Sequence, residues 1–172
     1  MSAEQNSNRL AQLKEDLDNL VNSLQHPQEK RIGYGNLRRE YSEWTTNDGE
    51  TTNVAVIYET PGGSTAQVNV TYGHSNEKFA FLDQGLESRV ITDDVNKVME
   101  HIRSEVERIP EKRWATLRGQ IDRWFAEGKH RSAVFGELNK LLQSEFLGGR
   151  ITIDELKRAL RYAVAASKNE EG

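Results

Sequence analysis

The 172-residue chain is predicted to be an α+β protein: an N-terminal helix, a four-stranded antiparallel meander, then four C-terminal helices. Three observations predict this. Leucines recur three and four residues apart near the N-terminus, a period of two broken by turn residues runs from 37 to 82, and helical spacing returns from Thr92 onward.

The first helix rests on Leu10, Leu13, Leu17, Leu20 and Leu24, set in an otherwise polar stretch and widened by Val21 alone. Strict 3-4 spacing fits a coiled-coil seam, whereas a helix lying on a globular core shows a broader stripe. Pro27 stops the helix by removing an amide donor, which leaves a segment too short to stand alone. The seam therefore pairs with a second molecule or packs on this chain's own sheet and helices. Residues 26–36, with Pro27, Gly33, Gly35 and Asn36, read as a connection.

Strands are expected over 37–46, 51–59, 65–72 and 78–82, separated by NDGE, PGGS and HSNE. Such short breaks favour hairpins between sequential neighbours. Ala66, Val68, Val70 and Tyr72 alternate with Gln67, Asn69 and Thr71, so the third strand has one buried and one wet face. The second contains VAVIY, a run suited to cover on both faces and hence to a central place.

Thr92 is the expected cap of the next helix, with Asp93 and Asp94 at its positive terminus and a stripe from Val95 to Ile109. Pro110 ends that helix or starts the following one. The third helix, about 111–127, carries Trp114, Leu117, Ile121, Trp124 and Phe125, and Gly128 closes it. The fourth, about 132–147, precedes Gly148 and Gly149. Thr152 and Glu155 then form a capping-box pattern for a last helix running to about Ala166. The expected organisation is residues 1–30 as seam helix and connection, 31–109 as an α+β meander unit, and 110–172 as a helical bundle packed with it.

Hydrophobic residues make up 35% of the chain, and the mean hydropathy is −0.77, so the core is expected to be thin. There are no cysteines, which excludes thiolate metal sites, disulfides and cysteine nucleophiles. No apolar run approaches the roughly 18 residues of a membrane span, and MSAEQNSNR lacks the order of a signal peptide, so a cytoplasmic protein without a membrane partner is expected. The net charge of −4 hides an acidic front and a basic back. That asymmetry suits contacts within the molecule, between copies, or with an acidic partner.

No catalytic constellation, metal cluster or phosphate loop emerges, and neither cofactor nor metal is expected. His101 and Glu105 lie one helical turn apart, a spacing that can orient an imidazole but is more simply a surface ion pair. Gly33-Tyr34-Gly35 lacks the strand and third glycine of a dinucleotide site, while Gly62-Gly63 reads as a hairpin turn. The last helix gathers Lys157, Arg158, Arg161 and Lys168 within about 100° of arc, opposite Ile153, Leu156, Leu160 and Ala163. Trp114 and Trp124 share a stripe with Leu117 and Ile121 and are read as core. Tyr34, Tyr41 and Trp44 are less determined, and a strand-borne ligand face is expected there if anywhere.

Gly149 to Leu156 looks like the glycine-to-helix junction of short oligomerisation modules and like the exit of a calcium-binding EF-hand loop. The second likeness fails because Leu147, Gly148 and Gly149 stand where oxygen ligands belong. A helix followed by four strands is also similar to the order of cystatin-like folds, without a matched motif.

The function expected from these features is a non-enzymatic assembly or adaptor module, homodimeric or otherwise homo-oligomeric. Its protein contacts are assigned to the leucine seam and the basic C-terminal helix. The alternative is a nucleic-acid-binding regulator using Lys157, Arg158 and Arg161, with Arg38 and Arg39.

Overall fold

The computed structural model describes residues 3–24, 34–47, 49–61, 64–83, 85, 87–147 and 151–170. The expected helix stop at Pro27, the Gly33 and Gly62-Gly63 turns and the Gly148-Gly149 terminus lie outside them. Two compact units interleave along the chain. Unit 1 comprises Met1–Leu24, Leu37–Ile57 and Gln67–Glu107, and unit 2 comprises Gln25–Asn36, Tyr58–Ala66 and Arg108–Gly172.

Helix α1 (Ala3–Leu24) precedes strands β1 (Arg38–Thr46), β2 (Gly49–Glu59), β3 (Thr65–Gly73), β4 (Lys78–Asp83) and β5 (Ser88–Thr92). The sheet has five strands in the order β1-β2-β3-β4-β5, antiparallel where β1 meets β2, β3 meets β4 and β4 meets β5. The expectation of four strands is thus corrected by β5, which pairs Phe81 with Val90 and Phe79 with Thr92. Its sequence, with Val90 and Ile91 adjacent, shows no apolar–polar alternation. Pairing with β4 supplies what its own pattern lacks. Val54 to Tyr58 are all buried, as a run covered on both faces should be.

Helix α2 (Val95–Glu107) buries Val98, Met99, Ile102 and Val106. Its cap is Asp94 rather than Thr92: the Asp94 carboxylate accepts the Asn96 amide at 3.0 Å, while the Thr92 hydroxyl accepts the Asp94 amide at 3.1 Å. Aspartate reaches the second helical amide with full negative charge, which favours it at that terminus. In unit 1, α1 packs on β1 and α2, and α2 packs on β4 and β5, so both helices share one face of the sheet. Tyr41 and Phe81 mark that face. The Tyr41 hydroxyl donates to Asp18 at 3.0 Å, and the Phe81 ring stacks on His101 at 4.1 Å.

Burial, followed by the hydrogen bond to Asp18, pushes the Tyr41 phenol up to about 12. The folded chain holds that proton more tightly than the unfolded one. Its contribution to stability is therefore complete below pH about 10 and is lost as pH rises through about 12. Thermal melts across this range should show a steeper alkaline loss in the parent than in Tyr41→Phe. Equal slopes would remove Tyr41 from the alkaline transition.

Unit 2 is built on α3 (Ile109–Ala126), α4 (Arg131–Leu147) and α5 (Ile153–Glu170). The stripe expected to continue from Val95 to Ile109 breaks at Arg108, and Pro110 sits in the first turn of α3, where its missing amide costs nothing. Gly128, at φ +77°, ends α3 with two reverse bonds, its own amide to Phe125 and the Lys129 amide to Trp124. A residue with a Cβ resists that left-handed conformation. The core joins Trp114, Leu117, Ile121 and Phe125 of α3 to Val134 and Leu138 of α4 and Ala159 and Ala163 of α5. The side chains of Leu142 and Phe146 lie outside the description.

One buried polar cluster organises this unit. Arg113 has no solvent exposure, and its guanidinium forks onto Glu155 through Nε and Nη2, each at 3.3 Å, while Nη1 donates to the Glu59 carbonyl. Glu155 simultaneously accepts the Thr152 amide at 2.9 Å and donates its own amide to the Thr152 hydroxyl, completing the capping box. Gly35, at φ +64°, lies where a Cβ would overlap both the Arg113 guanidinium and the Glu59 carbonyl. Its carbonyl accepts the Glu59 amide at 2.7 Å, holding the segment against the cluster.

Candidate partner-docking surface

The leucine seam is largely occupied within unit 1. Leu13 and Leu17 are fully buried and Leu10 nearly so, while Leu20 and Leu24 are half-buried. Val21, at 2% exposure, replaces Leu20 on the inward row, so the buried positions run 10, 13, 17 and 21. Drift toward 3.6-residue spacing is what contact with a sheet and a neighbouring helix produces.

The four cations of the last helix are all exposed, but they differ in surroundings. Arg158 bonds Glu111 at 3.3 Å, and its guanidinium lies 4.2 Å from the centre of the Trp114 ring. Lys157, Arg161 and Lys168 instead border a row of aliphatic side chains. Ile153 is 51% exposed, Leu160 38% and Val164 37%. The expectation that Ile153 and Leu160 lie on the inward face is corrected here.

The roll of α5 has identifiable causes. Small Ala159 and Ala163 let the helix approach closely, and Glu155 is drawn to Arg113. Tyr162 donates to Asp122 and meets the Trp114 ring edge-on at 5.7 Å. That bond to Asp122, with burial adding to it, raises the Tyr162 phenol above its ordinary value. Ile153, Leu160 and Val164 consequently face outward, and Leu160, Arg161, Val164, Ala165 and Lys168 line a shallow groove of about 400 Å³. The signal was present in the sequence: the apolar positions of α5 cover more arc than one packing face can bury.

The remaining expected residues are dispersed. Arg39 pairs with Asp18 of α1, whereas Arg38 is exposed on the opposite face of β1. Tyr41 is half-buried beneath Lys14, whose ammonium lies 5.0 Å from the ring centre, and Trp44 is 56% exposed on the other face. Trp114 is buried as expected, while Trp124 is only half-buried beside Lys129. Among the described residues, no group of three or more His, Asp or Glu is placed to hold a metal ion, and no helix is long and apolar enough to cross a membrane. The chain matches no protein-family model, no curated protein and no solved structure.

Proposed function

We infer that the chain is a non-enzymatic adaptor module, and that it docks an acidic amphipathic helix of a partner protein on the outer side of α5. The observation that carries this reading is the exposed row Ile153, Leu160 and Val164 bordered by Lys157, Arg161 and Lys168. Aliphatic side chains at helical spacing supply the apolar contact of helix-in-groove recognition. The cations select charge: a second copy of the same stripe would set like charges face to face, whereas a carboxylate-rich helix would complement them. With Leu10, Leu13 and Leu17 committed to the core of unit 1, α5 takes the role that the sequence divided between seam and basic helix.

Two synthetic helical peptides test the reading, one with leucines at heptad positions flanked by glutamates and one with the same leucines flanked by lysines. The glutamate peptide is expected to bind at micromolar concentration by fluorescence anisotropy and the lysine peptide not to bind. Leu160→Asp with Val164→Asp should weaken binding at least tenfold without altering the circular dichroism spectrum. Equal binding of both peptides, or binding indifferent to the substitutions, overturns it. A dimer seen by light scattering that dissociates in the variant would replace the acidic partner with a second copy.

A further inference from the structure

The sheet of unit 1 holds a groove that the adaptor reading leaves unused. It has a volume of about 350 Å³ and lies near the end of the sheet that carries the turns after β1 and β3. Strand pleating sets its face: Trp44 is three residues from Tyr41, and Ala80 and Ile91 neighbour Phe81 and Val90, so the groove occupies the face turned away from α1 and α2. Trp44 pairs with Thr51, and Ala80 pairs with Thr71 on one side and Ile91 on the other. The lining therefore crosses the sheet, roughly 19 Å from the first strand to the fifth. Small residues make the floor, with Trp44 at one end and Arg89 and Ile91 at the other.

Charge singles this surface out. Unit 1 carries sixteen Asp and Glu against eight Lys and Arg, yet among the described residues no carboxylate lines the groove while Lys78 and Arg89 both do. Trp44 and Ile91 are 56% and 55% exposed, so the indole presents much of its surface outward.

We propose that this groove binds a single strand of nucleic acid, with a base stacked on Trp44 and backbone phosphates held by Lys78 and Arg89. An aromatic platform combined with cations is the chemistry that single strands use. An amphipathic protein helix fits less well, because its apolar stripe would strip water from the exposed Lys78 and Arg89 without replacing their hydrogen bonds. A duplex presents its bases stacked internally and cannot offer one to Trp44.

Fluorescein-labelled oligo(dT) and oligo(rU) are the probes, with a duplex of equal length for comparison. Single strands are expected to bind more tightly than the duplex, with affinity falling roughly sevenfold between about 50 and 200 mM salt, as two phosphate contacts require. Trp44→Ala should weaken binding at least fivefold. Lys78→Gln with Arg89→Gln should weaken it and flatten the salt dependence. Should Trp44→Ala lower the melting temperature, the double glutamine variant carries the test alone. The proposal is overturned if neither oligonucleotide binds at low salt, if the duplex binds as well as the single strands, or if these variants bind like the parent. It is also overturned if binding is lost instead in Lys157→Gln with Arg161→Gln and Lys168→Gln, or if Trp44→Ala changes the molecular mass while no oligonucleotide binds.

Discussion

Leu17→Lys is expected to unfold unit 1, at a cost of about 5 kcal/mol or more. Leu17 is fully buried on the side of α1 that meets the sheet and α2. The substitution removes apolar contacts and forces an ammonium either to enter an apolar interior or to lose its proton there. A cost of that size rivals the whole stability of a small domain, roughly 5–15 kcal/mol. Urea unfolding followed by far-ultraviolet circular dichroism measures it. Leu20→Lys should cost only about 1 kcal/mol, because this half-buried position lets the charged end reach water along its stem. A Leu17→Lys protein that stays folded and falls in mass would instead show that the seam pairs between copies.

Arg113→Ala is the second large effect, a loss of about 3–5 kcal/mol in chemical denaturation. The arginine contributes little by attraction alone, since burying its charge opposes folding. Removal is costly because the Glu155 carboxylate, only 12% exposed, loses its countercharge and the Glu59 carbonyl loses its donor. Arg113→Lys should recover only part of the loss, because an ammonium cannot reproduce the fork onto both carboxylate oxygens while serving the carbonyl. Arg113→Met with Glu155→Gln should be less destabilised than Arg113→Ala, since glutamine keeps the cap of α5 and leaves no unpaired charge. A double variant as unstable as Arg113→Ala would place the cost in the lost hydrogen bonds of the guanidinium, the Glu59 carbonyl's donor among them, rather than in the orphaned carboxylate.

Neither partner of that pair was legible beforehand. In the sequence Arg113 stands with Lys112, Arg118 and Arg123 around the Trp114 stripe, a setting in which a cation is expected to be solvated, and Glu155 reads as a capping residue. Forty-two positions separate them, and no local rule joins residues so distant. The capping box itself was readable because its atoms lie within one turn. Trp114 was readable as core because it shares a stripe with Leu117 and Ile121, whereas Trp124, on the same stripe, is left half-buried at its edge.

Sequence alone determined what depends on near neighbours along the chain: the leading helix, four of the five strands with their hairpin order, the four later helices, and the glycine that closes α3. Propensity, alternation and terminal hydrogen bonds act over a few residues, so their pattern survives in one dimension. Tertiary structure decided which faces those elements spend. Pairing with β4 made a strand of Ser88–Thr92, contact with α2 and β1 took up the inward leucines of α1, and close packing at Ala159 and Ala163 rolled α5 until Ile153, Leu160 and Val164 faced outward. Burial is a competition among all apolar surfaces of a unit for limited contact. The side that loses, here the outer row of α5, is known only when every competitor is in place.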